Sequence, residues 1–203
     1  MIHLGTRQSR YLDSLWSAVS VALGSHLIYE SPEIDLEVLL YLGLHLVTAI
    51  LFLIRYQPSI HASSWEAYLV AGLSTIYVYG YNLSPMVTSR FSDVGETLVL
   101  TGAALSLCSL LSLRKNFGVF PAVRHLTTAA LYRVVRHPLY AGYILMDLGL
   151  VATYPSAWNG AVFVLAIFLF NRRIHCEELM LRNIAEYRQY MIAVKARLLP
   201  FVY

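Results

Sequence analysis

The sequence predicts an all-α fold: a polytopic transmembrane helical bundle of about five to six spans. Three observations predict it. Hydrophobic residues make up 58 % of the 203 and charged residues 13 %, against about 25 % charged in an average soluble domain. The apolar residues come in long runs, and about 20 of them in a helix cross a hydrocarbon core about 30 Å thick. The Lys and Arg residues fall almost entirely on one side of those runs, as the positive-inside bias requires.

Six spans are expected, in order: Leu12 to Tyr29, Leu36 to Ile54, Trp65 to Leu83, Glu96 to Leu113, Leu139 to Tyr154 and Ala157 to Ile174. The fifth is short and pairs with the sixth as a hairpin through the turn Tyr154-Pro155-Ser156-Ala157. With one segment re-entrant the count would be five. Six spans and a cytoplasmic N-terminus put every Lys and Arg except Arg90 on the cytoplasmic side, and the acidic Glu30, Glu33, Asp35 and Glu37 in the first outer loop. Both termini are then cytoplasmic. Arg7 and Arg10 before the first run read as the flank of a span, not as a cleavable leader.

Residues 1–112 read as scaffold. Small residues recur at close spacing (Ala18, Ala22, Gly24; Gly102, Ala103, Ala104), which lets helix backbones approach in lipid. Tyr11, Trp16, Tyr29, Trp65 and Tyr81 sit where interfacial anchors belong. Residues 113–203 form the second region. A basic loop from Arg114 to His137 leads into the hairpin, and a polar tail helical in pattern runs from Cys176, with Pro200 ending its ordered part. The two cysteines imply no disulfide framework. The net charge of +3 reflects loops near anionic headgroups and gives no reason to expect nucleic acid.

Two clusters could carry chemistry. Pro138 is suited to the first turn of a helix, so Arg136 and His137 flank a helix N-terminus whose N–H groups are free and whose dipole end is positive. That is an anion site, or else a basic topology signal beside an interfacial histidine. Glu177 and Glu178 lie near a helix C-terminus, against the dipole preference. They are either functional or an ordinary helical pairing of Arg173 with Glu177 at i,i+4. A hairpin places the two clusters side by side, which suits a zwitterionic ligand. Asp147, about 13 Å beyond Pro138 along the helix, is an intramembrane acid of either functional or packing origin. His26, His45 and Asn82 read as interhelical hydrogen-bonding groups. His137, His175, Cys176 and Glu177 match no zinc spacing, and no metal is expected.

From Leu113 to Pro200 the chain resembles the isoprenylcysteine carboxyl methyltransferase and phospholipid methyltransferase superfamily. The resemblance is carried by Tyr132-Arg133, Arg136-His137-Pro138-Leu139-Tyr140-Ala141-Gly142, Glu177-Glu178-Leu179-Met180-Leu181, Glu186-Tyr187-Arg188-Gln189-Tyr190 and Arg197-Leu198-Leu199-Pro200. It implies a cytoplasmic pocket for S-adenosyl-L-methionine, formed by the hairpin, the loop and the tail. It implies that Tyr132, Arg136, His137, Pro138, Tyr140 and Gly142 bind the cofactor, with Glu177 and Glu178 opposite, and that a lipophilic or small methyl acceptor enters from the bilayer. The family often has Gly-Pro-Tyr where this chain has Ala130-Leu131-Tyr132, which implies a different loop path.

The expected reaction is direct methyl transfer to an oxygen, nitrogen or sulfur acceptor. His137 or Glu177 would deprotonate an amine or thiol, and Arg173 would orient an acidic acceptor or simply neutralise Glu177. Two other readings are a reductase using a reduced nicotinamide dinucleotide, similar to membrane sterol reductases, and a non-catalytic transporter or assembly protein. Compact size and the lack of sorting signals suggest a prokaryotic inner membrane.

Overall fold

A computed structural model describes residues 6–30, 36–61, 64–83 and 91–200. Glu33, Asp35 and Arg90, which enter the expected charge distribution, lie outside these residues. The fold is helical, as expected. Among the described residues seven α-helices run in order: α1 (Thr6–Glu30), α2 (Leu36–Ile54), α3 (Trp65–Ile76), α4 (Ser92–Leu113), α5 (Pro138–Thr153), α6 (Ala157–Leu181) and α7 (Ala185–Ala193). A two-residue strand β1 (Ile60–His61) pairs antiparallel with β2 (Ala122–Val123), in register Ile60 with Val123.

Among the described residues one helical stretch, Ser92–Asn116, is long and apolar enough to cross a membrane by length and composition. Val38–Ile54 and Pro138–Thr153 are shorter apolar helices.

The helix boundaries differ from the hydropathy runs where polar chemistry intervenes. The third run is α-helical only to Ile76 and tightens into a 3-10 turn over Tyr77–Gly80. That turn is held from α6: the Trp158 indole donates to the Gly80 carbonyl at 2.7 Å, and Asn159 bonds both the N–H and the C=O of Asn82, each at 2.9 Å. The sixth run continues as one helix to Leu181, past the expected end at Ile174. Its start is fixed by Ser156, whose hydroxyl accepts from the Asn159 N–H at 3.0 Å. An N-cap of this kind satisfies a first-turn donor that has no helical partner.

The most extensive helix pair is α4 with α5, and glycines explain it. A Cβ on Gly142 would stand 2.8 Å from the Gly102 carbonyl oxygen, and one on Gly102 would stand 2.6 Å from the Gly142 carbonyl oxygen. Gly95 and Gly149 repeat the reciprocal arrangement two turns further on, at 2.7 and 2.5 Å. Backbone thus packs on backbone, which only glycine allows. Contact between α5 and α6 is much sparser. The core beside the α4–α5 seam is built from Phe52, Leu110, Phe117, Leu139 and their neighbours.

Candidate active site

Arg136 and His137 immediately precede α5, with Pro138 as its first-turn residue and His137 as N-cap. The tail crosses beneath them. The Arg136 N–H donates to the Ala196 carbonyl and the His137 N–H to the Arg197 carbonyl, both at 2.9 Å. These two N–H groups precede the first turn of α5 and are taken up by the tail. The Arg136 guanidinium does face inward: Nε donates to Glu178 Oε1 at 2.9 Å, and Nη1 donates to the carbonyls of Val194 and Lys195 at 2.8 and 2.6 Å.

Glu178 is 1 % exposed and has four side-chain partners. Oε1 accepts from Arg136 and lies 3.2 Å from His137 Nε2, while Oε2 accepts from Arg197 at 2.9 Å and lies 3.5 Å from an Arg182 nitrogen. Burial alone would raise its pKa. The hydrogen bond and charge of His137, with Arg136, overcome that and hold it at about 2. A buried carboxylate this fully paired is a structural knot.

Glu177, its neighbour, turns the other way. It accepts a short bond from the Tyr140 hydroxyl and another from Arg173 Nε at 3.2 Å, and one of its oxygens lies 4.0 Å from His137 Nδ1. Arg173 is pinned on all three nitrogens, since Nη1 also donates to Ser74 Oγ at 2.9 Å and Nη2 to the Val119 carbonyl at 2.5 Å. Its guanidinium carbon sits 5.3 Å from the Tyr140 ring centroid. The i,i+4 pairing with Glu177 is thus present, extended by bonds to α3 and the loop before β2.

A cavity of about 1260 Å³ opens beside these groups. Tyr132, Arg136, His137, Tyr140, Arg173 and Glu177 line it. Pro138, Gly142 and Glu178 are not on its wall: Pro138 starts the helix, Gly142 packs on α4, and Glu178 is enclosed by its partners. The helical spacing of Tyr140 and Gly142 already turns them to different faces.

Among the described residues, three buried donors at the wall have no partner in hydrogen-bond geometry: Arg136 Nη2, the Tyr187 hydroxyl and the Tyr81 hydroxyl. Burial, followed by the Glu178 carboxylate, pushes the Tyr187 phenol up, so it remains a donor at neutral pH. Tyr187 was missed as a site residue, although it stands in the motif Glu186-Tyr187-Arg188-Gln189-Tyr190; only the fold of the tail shows which tyrosine faces inward. Tyr190 instead donates to the Tyr132 carbonyl at 2.6 Å and locks α7 to the loop. In that loop Ala130 has φ 51°, the left-handed region that favours glycine. The substitution noted in the sequence therefore falls on a residue whose backbone conformation suits glycine, and Tyr132 is buried against the cavity nonetheless.

Residues 96–183 match the isoprenylcysteine carboxyl methyltransferase (ICMT) family. This region is isoprenylcysteine carboxyl methyltransferase-like. It contains Arg136, His137, Pro138, Glu177 and Glu178. Two proteins of rice, from Oryza sativa subspecies indica and japonica, are each 27 % identical to the chain over 119 residues. Both bear the description "Probable protein-S-isoprenylcysteine O-methyltransferase". The aligned part is 55 % of this chain and 62 % of each relative, so the chain spans less than two thirds of the relatives it matches.

Proposed function

We propose that the chain is a multi-pass membrane methyltransferase that uses S-adenosyl-L-methionine and acts on a lipophilic acceptor bearing a carboxylate, amine or thiol. One observation carries this reading. The family-matched stretch supplies Tyr132, Arg136, His137, Tyr140, Arg173 and Glu177 to the wall of a single cavity.

Two of the unpaired donors fit the cofactor. Arg136 Nη2 and the Tyr187 hydroxyl would receive its carboxylate, since a buried donor left without an acceptor costs about 1–3 kcal/mol. Glu177 would face a cationic part. When bound, S-adenosyl-L-methionine supplies an electrophilic methyl group on a sulfonium. The protein's own contribution is alignment and exclusion of water. Arg173 acts as a positioning residue, holding Glu177 against Tyr140. His137 Nε2 faces the Glu178 carboxylate, which can only accept. A neutral His137 therefore carries its proton there and keeps the Nδ1 lone pair free. Nδ1 would take the proton of an amine or thiol acceptor, with Glu177 at 4.0 Å to balance the charge. An ionised carboxylate acceptor would not need it.

The test is calorimetric titration of the detergent-purified protein with S-adenosyl-L-methionine and, in parallel, NADPH. Saturable binding of the first alone is expected. Binding of NADPH alone, or of neither by a folded sample, would contradict the reading.

A further inference from the structure

The same cavity has a second polar end that methyl-donor binding does not explain. Tyr140, Tyr143 and Asp147 share one face of α5 and all line the cavity. Asp147 lies about 10 Å along the helix from Tyr140. It is 2 % exposed, and its Oδ2 accepts from the Tyr77 hydroxyl at 2.8 Å. Tyr81 stands beside the pair, its ring centroid 6.4 Å from that of Tyr77. The Tyr81 hydroxyl also faces this carboxylate, is buried, and has no partner in hydrogen-bond geometry. Both tyrosines come from the 3-10 turn and its end, and that turn is braced on its far side by Trp158 and Asn159.

Packing alone accounts for one of these bonds. It leaves a carboxylate on the cavity wall beside the rings of Tyr77 and Tyr81. A bare hydrocarbon chain lying there would leave Asp147 with Tyr77 alone and the Tyr81 hydroxyl without a partner in hydrogen-bond geometry. A donor group would complete them.

We propose that Asp147, with Tyr77 and Tyr81, is an acceptor-recognition subsite that takes a hydrogen-bond-donating group, hydroxyl or ammonium, on an otherwise apolar molecule. Asp147 accepts from that group, Tyr81 contributes its hydroxyl, and Tyr77 holds the carboxylate in place. Calling the ligand an acceptor rests on the methyltransferase reading; the binding preference itself does not.

The test reads binding directly. Tritiated farnesylamine is bound to the protein in nanodiscs and displaced by farnesol or by farnesyl methyl ether, which has similar length but no donor. The amine and the alcohol are expected to bind at least about tenfold tighter than the ether, an unpaired polar group being worth about that factor. Asp147→Leu should erase the preference. Asp147→Asn should keep preference for the alcohol and lose it for the amine, which separates hydrogen bonding from charge. Tyr81→Phe removes a hydroxyl that has no partner in hydrogen-bond geometry, so it should weaken binding several-fold in a normally folded protein, and it decides the matter if Asp147→Leu does not fold. Equal binding of all three ligands, no binding, or a preference unchanged in these variants would overturn the proposal. If the preference holds while S-adenosyl-L-methionine fails to bind the wild type, the methyltransferase reading falls and the subsite stands.

Discussion

The two faces of α5 obey opposite rules. Towards α4 it presents Gly142 and Gly149, and backbone meets backbone with no room for a methyl group. Towards the cavity it presents Tyr140, Tyr143 and Asp147, and the neighbouring helix stands away. The seam holds α5 backbone to backbone, whereas on the other face contact with α6 runs through side chains, Tyr140 and Tyr143 stacking on Phe170. The adjacent acids of α6 divide in the same way. Glu178 closes a knot of loop, helix and tail, whereas Glu177 faces the chamber.

The largest effect should come from the knot. Glu178→Gln removes a buried charge shared by Arg136, Arg197 and His137. Breaking one side of such a network costs about 3–5 kcal/mol, measurable as lost thermal stability in detergent. The pH dependence follows from the carboxylate's depressed pKa. Its folded value of about 2 lies below the ordinary 4.5, so its stabilisation is complete above about 4.5 and is lost as pH falls towards 2. Glu178→Gln should flatten stability across that window; an unchanged acid limb would place the dependence elsewhere.

The seam comes next. Gly142→Ala sets a Cβ 2.8 Å from a backbone oxygen that cannot swing aside, and overpacking of this kind costs about 1–3 kcal/mol. Gly160 of α6 has nothing within 4 Å of the same added atom. Gly160→Ala should therefore raise stability by up to about 1 kcal/mol through helix propensity. Equal melting shifts for the two variants would show that the α4–α5 approach is not as close as described. The smallest effect is expected at Ala130, whose φ of 51° suits glycine. Ala130→Gly should stabilise the loop by about 1 kcal/mol or less, relief of strain being offset by a looser unfolded chain.

Much of this was legible in the sequence because hydropathy and capping act locally. The helical runs, the start of α5 at Pro138 and the turn before α6 all follow from a few consecutive residues. The conjunction of Arg136-His137 with Glu177-Glu178 was also legible, since a hairpin must bring those ends together. The division of labour between the two acids was not. It depends on Arg197 and the carbonyls of Val194 to Ala196 reaching back under α5, and no periodicity encodes that crossing. The resemblance implies a cofactor role for Gly142, while its packing against Gly102 depends on the position of α4, which no local pattern encodes. Tyr187 stood in a recognisable motif, but its inward direction is set by how α7 folds against Tyr132.

Tyr187→Phe tests the donor site most directly. The deleted hydroxyl has no hydrogen bond within the protein, so stability should be unchanged or slightly higher. Affinity for S-adenosyl-L-methionine should fall about tenfold, the loss of one buried hydrogen bond. A variant that folds normally and binds the cofactor as tightly as the wild type would contradict the site described here.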